Sequence, residues 1–147
     1  MSKKILNILL ADDDIDDQTF FKNALDAIPL ETHLSTVADG QQLITYLTDN
    51  IDRLPHVLFL DINMPGKNGH ECLAEIKKNE KMKDLPVVMY STSKEKDKID
   101  ILFNVGADVY VHKPSRFSEL IQVIYHALPL AAENIFSNGK IKYILNA

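Results

Sequence analysis

Four apolar runs in this chain end on residues able to do chemistry. Val57-Leu58-Phe59-Leu60 delivers Asp61, and residues 5–11 deliver Asp12, Asp13 and Asp14. Val87-Val88-Met89-Tyr90 leads to Ser91 and Thr92, and Val109-Tyr110-Val111 leads to His112 and Lys113. A lone acid in such a place is most often a solvated loop residue. As a set these residues suggest more. Two or three carboxylates brought together repel, and burial raises at least one pKa unless a cation neutralises them. Magnesium is a hard cation that takes oxygen ligands, one or two carboxylates with waters and phosphate oxygens. A lysine and a hydroxyl opposite suit an anion that the same metal touches. Carboxylates, Mg2+, lysine and serine together describe phosphoryl transfer. One carboxylate is then the nucleophile, forming an aspartyl phosphate, while metal and lysine stabilise the transferring oxygens.

These groups meet only if the elements carrying them are parallel. Residues 5–11 and 57–60 read as strands buried on both faces. Residues 33–37 form a shorter, more polar strand suited to an edge; 87–90 and 109–111 complete five. Between them lie helical patterns. Phe20, Phe21, Ala24, Leu25 and Ile28 share a stripe that Pro29 stops, and Leu43, Ile44 and Leu47 follow Asp39-Gly40. A third helix starts at Asn68 or Gly69 and runs to about Lys78. A fourth spans 94–105, with Ser93 as N-cap and Gly106 as terminator. The last, from Ser115, carries Phe117, Leu120, Ile121, Ile124 and Leu128. Five strands alternating with five helices predict a doubly wound α/β domain with a parallel sheet. Ligands of such sheets sit beyond the carboxyl ends of the strands.

Composition narrows the classes. A chain of 147 residues with 46% hydrophobic and 25% charged residues fits one globular domain. A formal charge of −5 with no basic stripe gives no case for direct nucleic-acid binding. The single cysteine, Cys72, excludes an internal disulfide and fits a reducing compartment; it reads as a small packed residue. No run approaches 18 apolar residues, and residues 5–11 read as a strand and not a signal peptide. A cytoplasmic protein without membrane contact is expected. The five histidines show no paired metal spacing.

The chain from about residue 4 to 128 resembles the receiver domain of bacterial two-component response regulators, of the single-domain, chemotaxis-regulator-like kind. The resemblance rests on Ile8-Leu9-Leu10-Ala11-Asp12-Asp13, Asp61-Ile62-Asn63-Met64-Pro65-Gly66 with Asn68-Gly69, Ser91-Thr92, and Tyr110-Val111-His112-Lys113-Pro114. It implies a flavodoxin-like (βα)5 fold with strand order 2-1-3-4-5. It also implies that Asp61 takes a phosphoryl group from a phosphohistidine on a sensor histidine kinase or phosphotransfer protein. Asp13, Asp61 and the Asn63 main-chain carbonyl would bind Mg2+, with Asp12 helping through water. Lys113 would pair with Asp61 and then with the phosphoryl oxygens, across a cis Lys113–Pro114 bond. Ser91 would bond the phosphoryl group and Tyr110 would swing inward, shifting the face made by helix 4, strand 5 and helix 5. The family is a signalling phosphoacceptor, not a conventional enzyme, that supports its own phosphotransfer and slow autodephosphorylation.

Three positions depart from the family pattern: Ser91 where threonine is common, Ser115 where phenylalanine is, and Lys67 at a usually apolar place. Asp14 reads as helix N-terminal charge. On helix 94–105, Ile99, Leu102 and Phe103 share one face, while Ile101 and Val105 point away and form a candidate partner surface. Residues 129–147 are too few for an output domain. Asn138-Gly139 between Ile135-Phe136 and residues 141–144 predicts an ordered tail, as a hairpin packed on this chain or on a dimer mate. A downstream protein partner is expected, with a homodimer left open. The alternative is a receiver-like adaptor that binds without phosphorylation. An aspartyl-phosphate hydrolase is disfavoured because Asn63 stands where a second aspartate is needed. A flavin mononucleotide carrier is disfavoured because Asp12-Asp13-Asp14 would repel phosphate.

Overall fold

In the computed structural model, residues 5–92, 95–136 and 143–145 are described. The elements follow in strict alternation: β1 (Leu6–Ala11), α1 (Ile15–Asp26), β2 (Thr32–Val37), α2 (Gly40–Asp49), β3 (Val57–Leu60), α3 (Gly69–Lys78), β4 (Val87–Ser91), α4 (Lys96–Val105), β5 (Val109–His112), α5 (Phe117–Phe136) and β6 (Tyr143–Leu145). The strands form one parallel sheet in the order β2-β1-β3-β4-β5-β6. Its first five strands have the expected order 2-1-3-4-5.

The central strands are buried because helices cover both sides of the sheet, and their period of two divides the core in two. Leu9, Ala11, Leu58, Leu60, Met89 and Tyr110 face α2, α3 and α4. Ile8, Leu10, Phe59, Val88, Tyr90 and Val111 face α1 and α5. Each fully buried leucine or isoleucine contributes about 1.5–3 kcal/mol. Phe21 of α1 anchors the second core, edge-on to Phe59 at 4.9 Å and to Tyr90 at 5.8 Å between ring centroids.

Helix ends are set locally. Asp14 caps α1 by accepting from the N–H groups of Asp16 and Asp17, as its position among the acids predicts. Asn68 and Glu71 form a capping box on α3, and Lys77 and Lys78 suit its carboxyl end. Gly106, at φ 128°, ends α4 and donates to the carbonyls of Leu102 and Phe103.

Three expectations change. First, α4 begins at Lys96 with Glu95 at its N-cap, two residues later than predicted; Ser93 lies outside the described residues. Second, α5 does not stop before Pro129 but runs through it to Phe136. Proline removes one helical hydrogen bond, and a stripe already anchored on the sheet through Leu120, Val123, Ile124 and Ala127 absorbs that loss. Third, the tail is a strand and not a hairpin. Ile135 and Phe136 belong to α5, Asn138-Gly139 lies outside the described residues, and β6 pairs parallel with β5. A strand that follows a helix returns parallel to its predecessor, as in every other crossover of this sheet. Among the described residues no helix is long and apolar enough to cross a membrane.

Candidate functional site

Asp12, Asp61 and Lys113 each lie one residue past the end of a strand, where backbone pairing still holds them. Asp12 N donates to the Val37 carbonyl, Asp61 N to the Ala11 carbonyl and Lys113 N to the Ser91 carbonyl, at 3.0, 3.0 and 2.7 Å. Strand alternation then sorts the side chains. Asp12, Asp61 and Lys113 continue the rows facing α1 and α5, whereas Ser91 and Tyr110 continue the rows facing α4.

The acids converge. Asp12, Asp13 and Asp61 each offer a carboxylate oxygen, and these oxygens lie within 4.8 Å of one another. Asp12 and Asp61 are buried and Asp13 is exposed, so the cluster is closed below and open above. Burial pushes the Asp61 carboxyl up to about 6; Lys113 opposes the rise and Asp12 adds to it. Burial likewise raises Asp12, against the Asp14 N–H and Lys113. Three oxygens of one charge, two of them desolvated, suit a hard divalent cation.

Lys113 is the counter-charge; the expected ion pair with Asp61 forms, and two closer carboxylates join it. Its Nζ donates to Asp12 Oδ2 at 2.9 Å and to Asp17 Oδ2 at 2.8 Å, and stands 3.5 Å from Asp61 Oδ2. Burial works against the charged lysine, but bonds to Asp17 and Asp12 and the charge of Asp61 raise its pKa overall. Tyr90 lies beneath, with Nζ 4.9 Å from its ring centroid. The Lys113–Pro114 bond is trans, contrary to expectation. Trans is the lower form by about 0.5–1 kcal/mol, and with it Lys113 already reaches three carboxylates.

The loop after Asp61 is shaped by close packing. Asn63 is exposed, and its N–H points at Asp61 Oδ1 across a long 3.4 Å. Gly66 takes a positive φ of 71°, and Gly69 N donates to the Ile62 carbonyl. Lys67 does not reach the acid cluster, because its ammonium pairs with Glu75 of α3. Cys72 is buried with its Sγ near the Gly40 and Lys67 carbonyls, and burial pushes its thiol up to about 11. That is a packed residue, as its sequence context suggests.

Ser91 is 1% exposed at the floor of the rim, and Tyr110 is 1% exposed within the core on the α4 side. Tyr110 therefore already holds the inward position that the resemblance assigns to the phosphorylated form. On α4, Ile99, Leu102 and Phe103 are buried and Ile101 is half exposed, while Val105 packs partly against the core. Phe117 stacks obliquely on Phe20 beside the site at 5.9 Å.

The residue that sequence reading missed is Asp17. As one of five acids between positions 12 and 17 it looks like further charge for the helix dipole, and only its 2.8 Å bond from Lys113 sets it apart.

Residues 8–125 match the family model of the response regulator receiver domain. Response regulator Rcp1 of Synechocystis is 30% identical over 122 residues, which is 80% of this chain and 82% of that one. Among solved structures, the phosphorylated cyanobacterial phytochrome response regulator RcpA aligns with a TM-score of 0.74 at 29% identity, covering 90% of this chain and 94% of its own. The Mn2+-bound form of Rcp1 aligns at 0.72 and 25% identity, covering 92% and 96%.

Proposed function

This chain belongs to the response regulator receiver domain family, and from that premise we propose that Asp61 is its phosphoacceptor and that the chain is a phosphorylation-dependent signalling switch. The observation that carries the reading is the convergence of Asp12, Asp13 and Asp61 within 4.8 Å, with the Lys113 ammonium 3.5 Å from Asp61.

An Asp61 carboxylate oxygen attacks phosphorus of a phosphohistidine on a sensor kinase or phosphotransfer protein. The new O–P bond forms as the N–P bond to imidazole breaks, and the imidazole leaves neutral by taking up a proton. Asp61 is ionised for this role above its raised pKa of about 6. Asp12, Asp13, Asp61 and the Asn63 main-chain carbonyl are the groups proposed to hold Mg2+. That ion would neutralise charge on the transferring oxygens; the bound Mn2+ of Rcp1 supports the assignment. Lys113 donates to the phosphoryl oxygens from the other side. The Ser91 hydroxyl bonds the phosphoryl group, and the resulting shift is read on the face of α4, β5 and α5. Since Tyr110 is already buried, its part is to follow Ser91 within the core, not to enter from solvent. Water later attacks phosphorus, releasing inorganic phosphate and restoring the carboxylate.

The donor would dock over exposed Ile15 and the Phe20–Phe117 pair, which flank the acids. The half-exposed Ile101 belongs to the surface proposed for a downstream protein partner or a second copy. Within this reading the chain is a cytoplasmic signalling protein with residues 129–147 as an extension of the receiver domain.

The test is incubation with a small-molecule phosphodonor, with and without Mg2+, followed by intact-mass analysis. A Mg2+-dependent phosphoryl adduct absent from Asp61→Asn supports the reading. No adduct from that donor or from a cognate kinase would leave only an adaptor that binds without phosphorylation.

A further inference from the structure

Lys113 has three N–H donors and three carboxylates in reach, but they are not shared evenly. Two donors are committed within 2.9 Å to Asp12 and Asp17, while Asp61 stands off at 3.5 Å. Asp17 is not needed for the helix: Asp14 already caps α1, and the exposed Asp16 supplies first-turn charge. Beside the ammonium lies a recess of about 300 Å3, lined by Asp16, Asp17, Phe20, Tyr90, Lys113 and Pro114 and by none of Asp12, Asp13 and Asp61. The Tyr90 ring centroid lies 4.9 Å from the ammonium, which adds cation–π attraction at the position it holds.

We propose that Asp17 is a positioning residue that holds Lys113 at a second station, displaced from Asp61, which the lysine must leave when the phosphoryl group arrives. The inference rests on Asp61 being the phosphoacceptor. Phosphorylation replaces the single charge of the Asp61 carboxylate with a phosphoryl group carrying about −1.5 to −2, and it places three acceptor oxygens beside the ammonium. Of the two committed partners, Asp17 is the weaker competitor. Its side chain is 41% exposed and screened by water, whereas that of Asp12 is fully buried. Asp17 therefore stabilises the state before transfer and contributes nothing once Lys113 has moved. It slows phosphorylation and leaves hydrolysis alone.

The experiment compares the full chain with Asp17→Asn, Asp17→Glu and Asp16→Asn, using acetyl phosphate and Mg2+ as the donor system. Phosphorylation and, after donor removal, loss of the phosphoryl group are both followed by intact mass. Asp17→Asn should phosphorylate about threefold to fivefold faster than Asp16→Asn, the worth of a partly exposed ion pair. Its hydrolysis rate should equal that of the parent, and Asp17→Glu should phosphorylate at the parent's rate. Asp16→Asn removes the same charge one residue away, so it subtracts any general easing of donor repulsion. The assignment is overturned if Asp17→Asn is no faster than Asp16→Asn, or if its hydrolysis changes by as much as its phosphorylation. A parent chain that takes no phosphoryl group, alone among these outcomes, overturns the phosphoacceptor reading as well.

Discussion

Gly69 packs directly on the backbone of Asp61: a Cβ at position 69 would lie 2.2 Å from the Asp61 carbonyl oxygen and 2.7 Å from Ile62 Cα. No side-chain rotation relieves that clash, because the obstructing atoms are main chain. Gly69→Ala is expected to lower unfolding free energy by about 1–3 kcal/mol in urea melts. The atoms forced to move belong to the proposed nucleophile, so phosphorylation from a small donor should slow by about tenfold or more. A stable Gly69→Ala chain with the parent's rate would show that the contact does not position Asp61.

Asp61 itself should cost stability when ionised. Its folded-state pKa, about 6, is raised from 3.8, so the folded chain binds that proton more tightly than the unfolded chain. The penalty is absent below pH 3.8, grows between there and 6, and is complete above 6. Asp61→Asn should therefore be more stable than the parent at pH 7.5, by at most about 3 kcal/mol for a shift of roughly two units. The difference should shrink as pH falls from 6 to 4. Adding Mg2+ should raise the melting midpoint of the parent more than that of Asp61→Asn.

At the opposite end of α3, Lys77 Nζ donates to the carbonyls of Lys83 and Leu85 and lies 3.9 Å from Asp108 Oδ2. Asp108 in turn accepts from Val87 N at 2.8 Å. Burial lowers the Lys77 pKa and raises that of Asp108, and each charge offsets part of the other's burial cost. Lys77→Met keeps the stem that packs on Gly106 but removes the charge. It should destabilise by about 2–4 kcal/mol in urea melts. Its phosphorylation rate should stay within about twofold of the parent, because the pair is some 15 Å of helix away from Asp61.

Removal of residues 137–147 should uncover the β5 edge. The three register pairs joining β5 to β6 contribute about 1 kcal/mol per hydrogen bond. The truncated chain should melt earlier, and the amides of β5 should exchange faster while those of β1 and β3 are unchanged. Equal exchange at β5 in the two chains would mean that β6 does not protect it.

Much of the fold can be read from the chain because apolar runs, caps and prolines act locally. Val57-Leu58-Phe59-Leu60 can hardly be anything but a covered strand, and Asp61, Asp12 and Lys113 reach one rim once the strands are parallel. What escapes the sequence depends on distant partners. Asp17 has the composition of a dipole-balancing acid and gains its role only from Lys113, 96 positions away. Pro129 has the chemistry of a helix stop, overridden by a stripe already seated on the sheet. The parallel β6 was hidden behind Asn138-Gly139, whose local turn preference points to a hairpin. The trans bond at Pro114 follows the ordinary isomer preference of an X–Pro bond, where the resemblance implied cis.

The alternation of side chains along β3, β4 and β5 divides labour between the two sides of one sheet. Asp61 and Lys113 extend the rows facing α1 and α5; Ser91 and Tyr110 extend the rows facing α4. Under the proposed reading, the acceptor and its lysine lie on one side of the sheet and Ser91 and Tyr110 on the other, so a change at Asp61 reaches α4 only by crossing the sheet through the ends of β4 and β5.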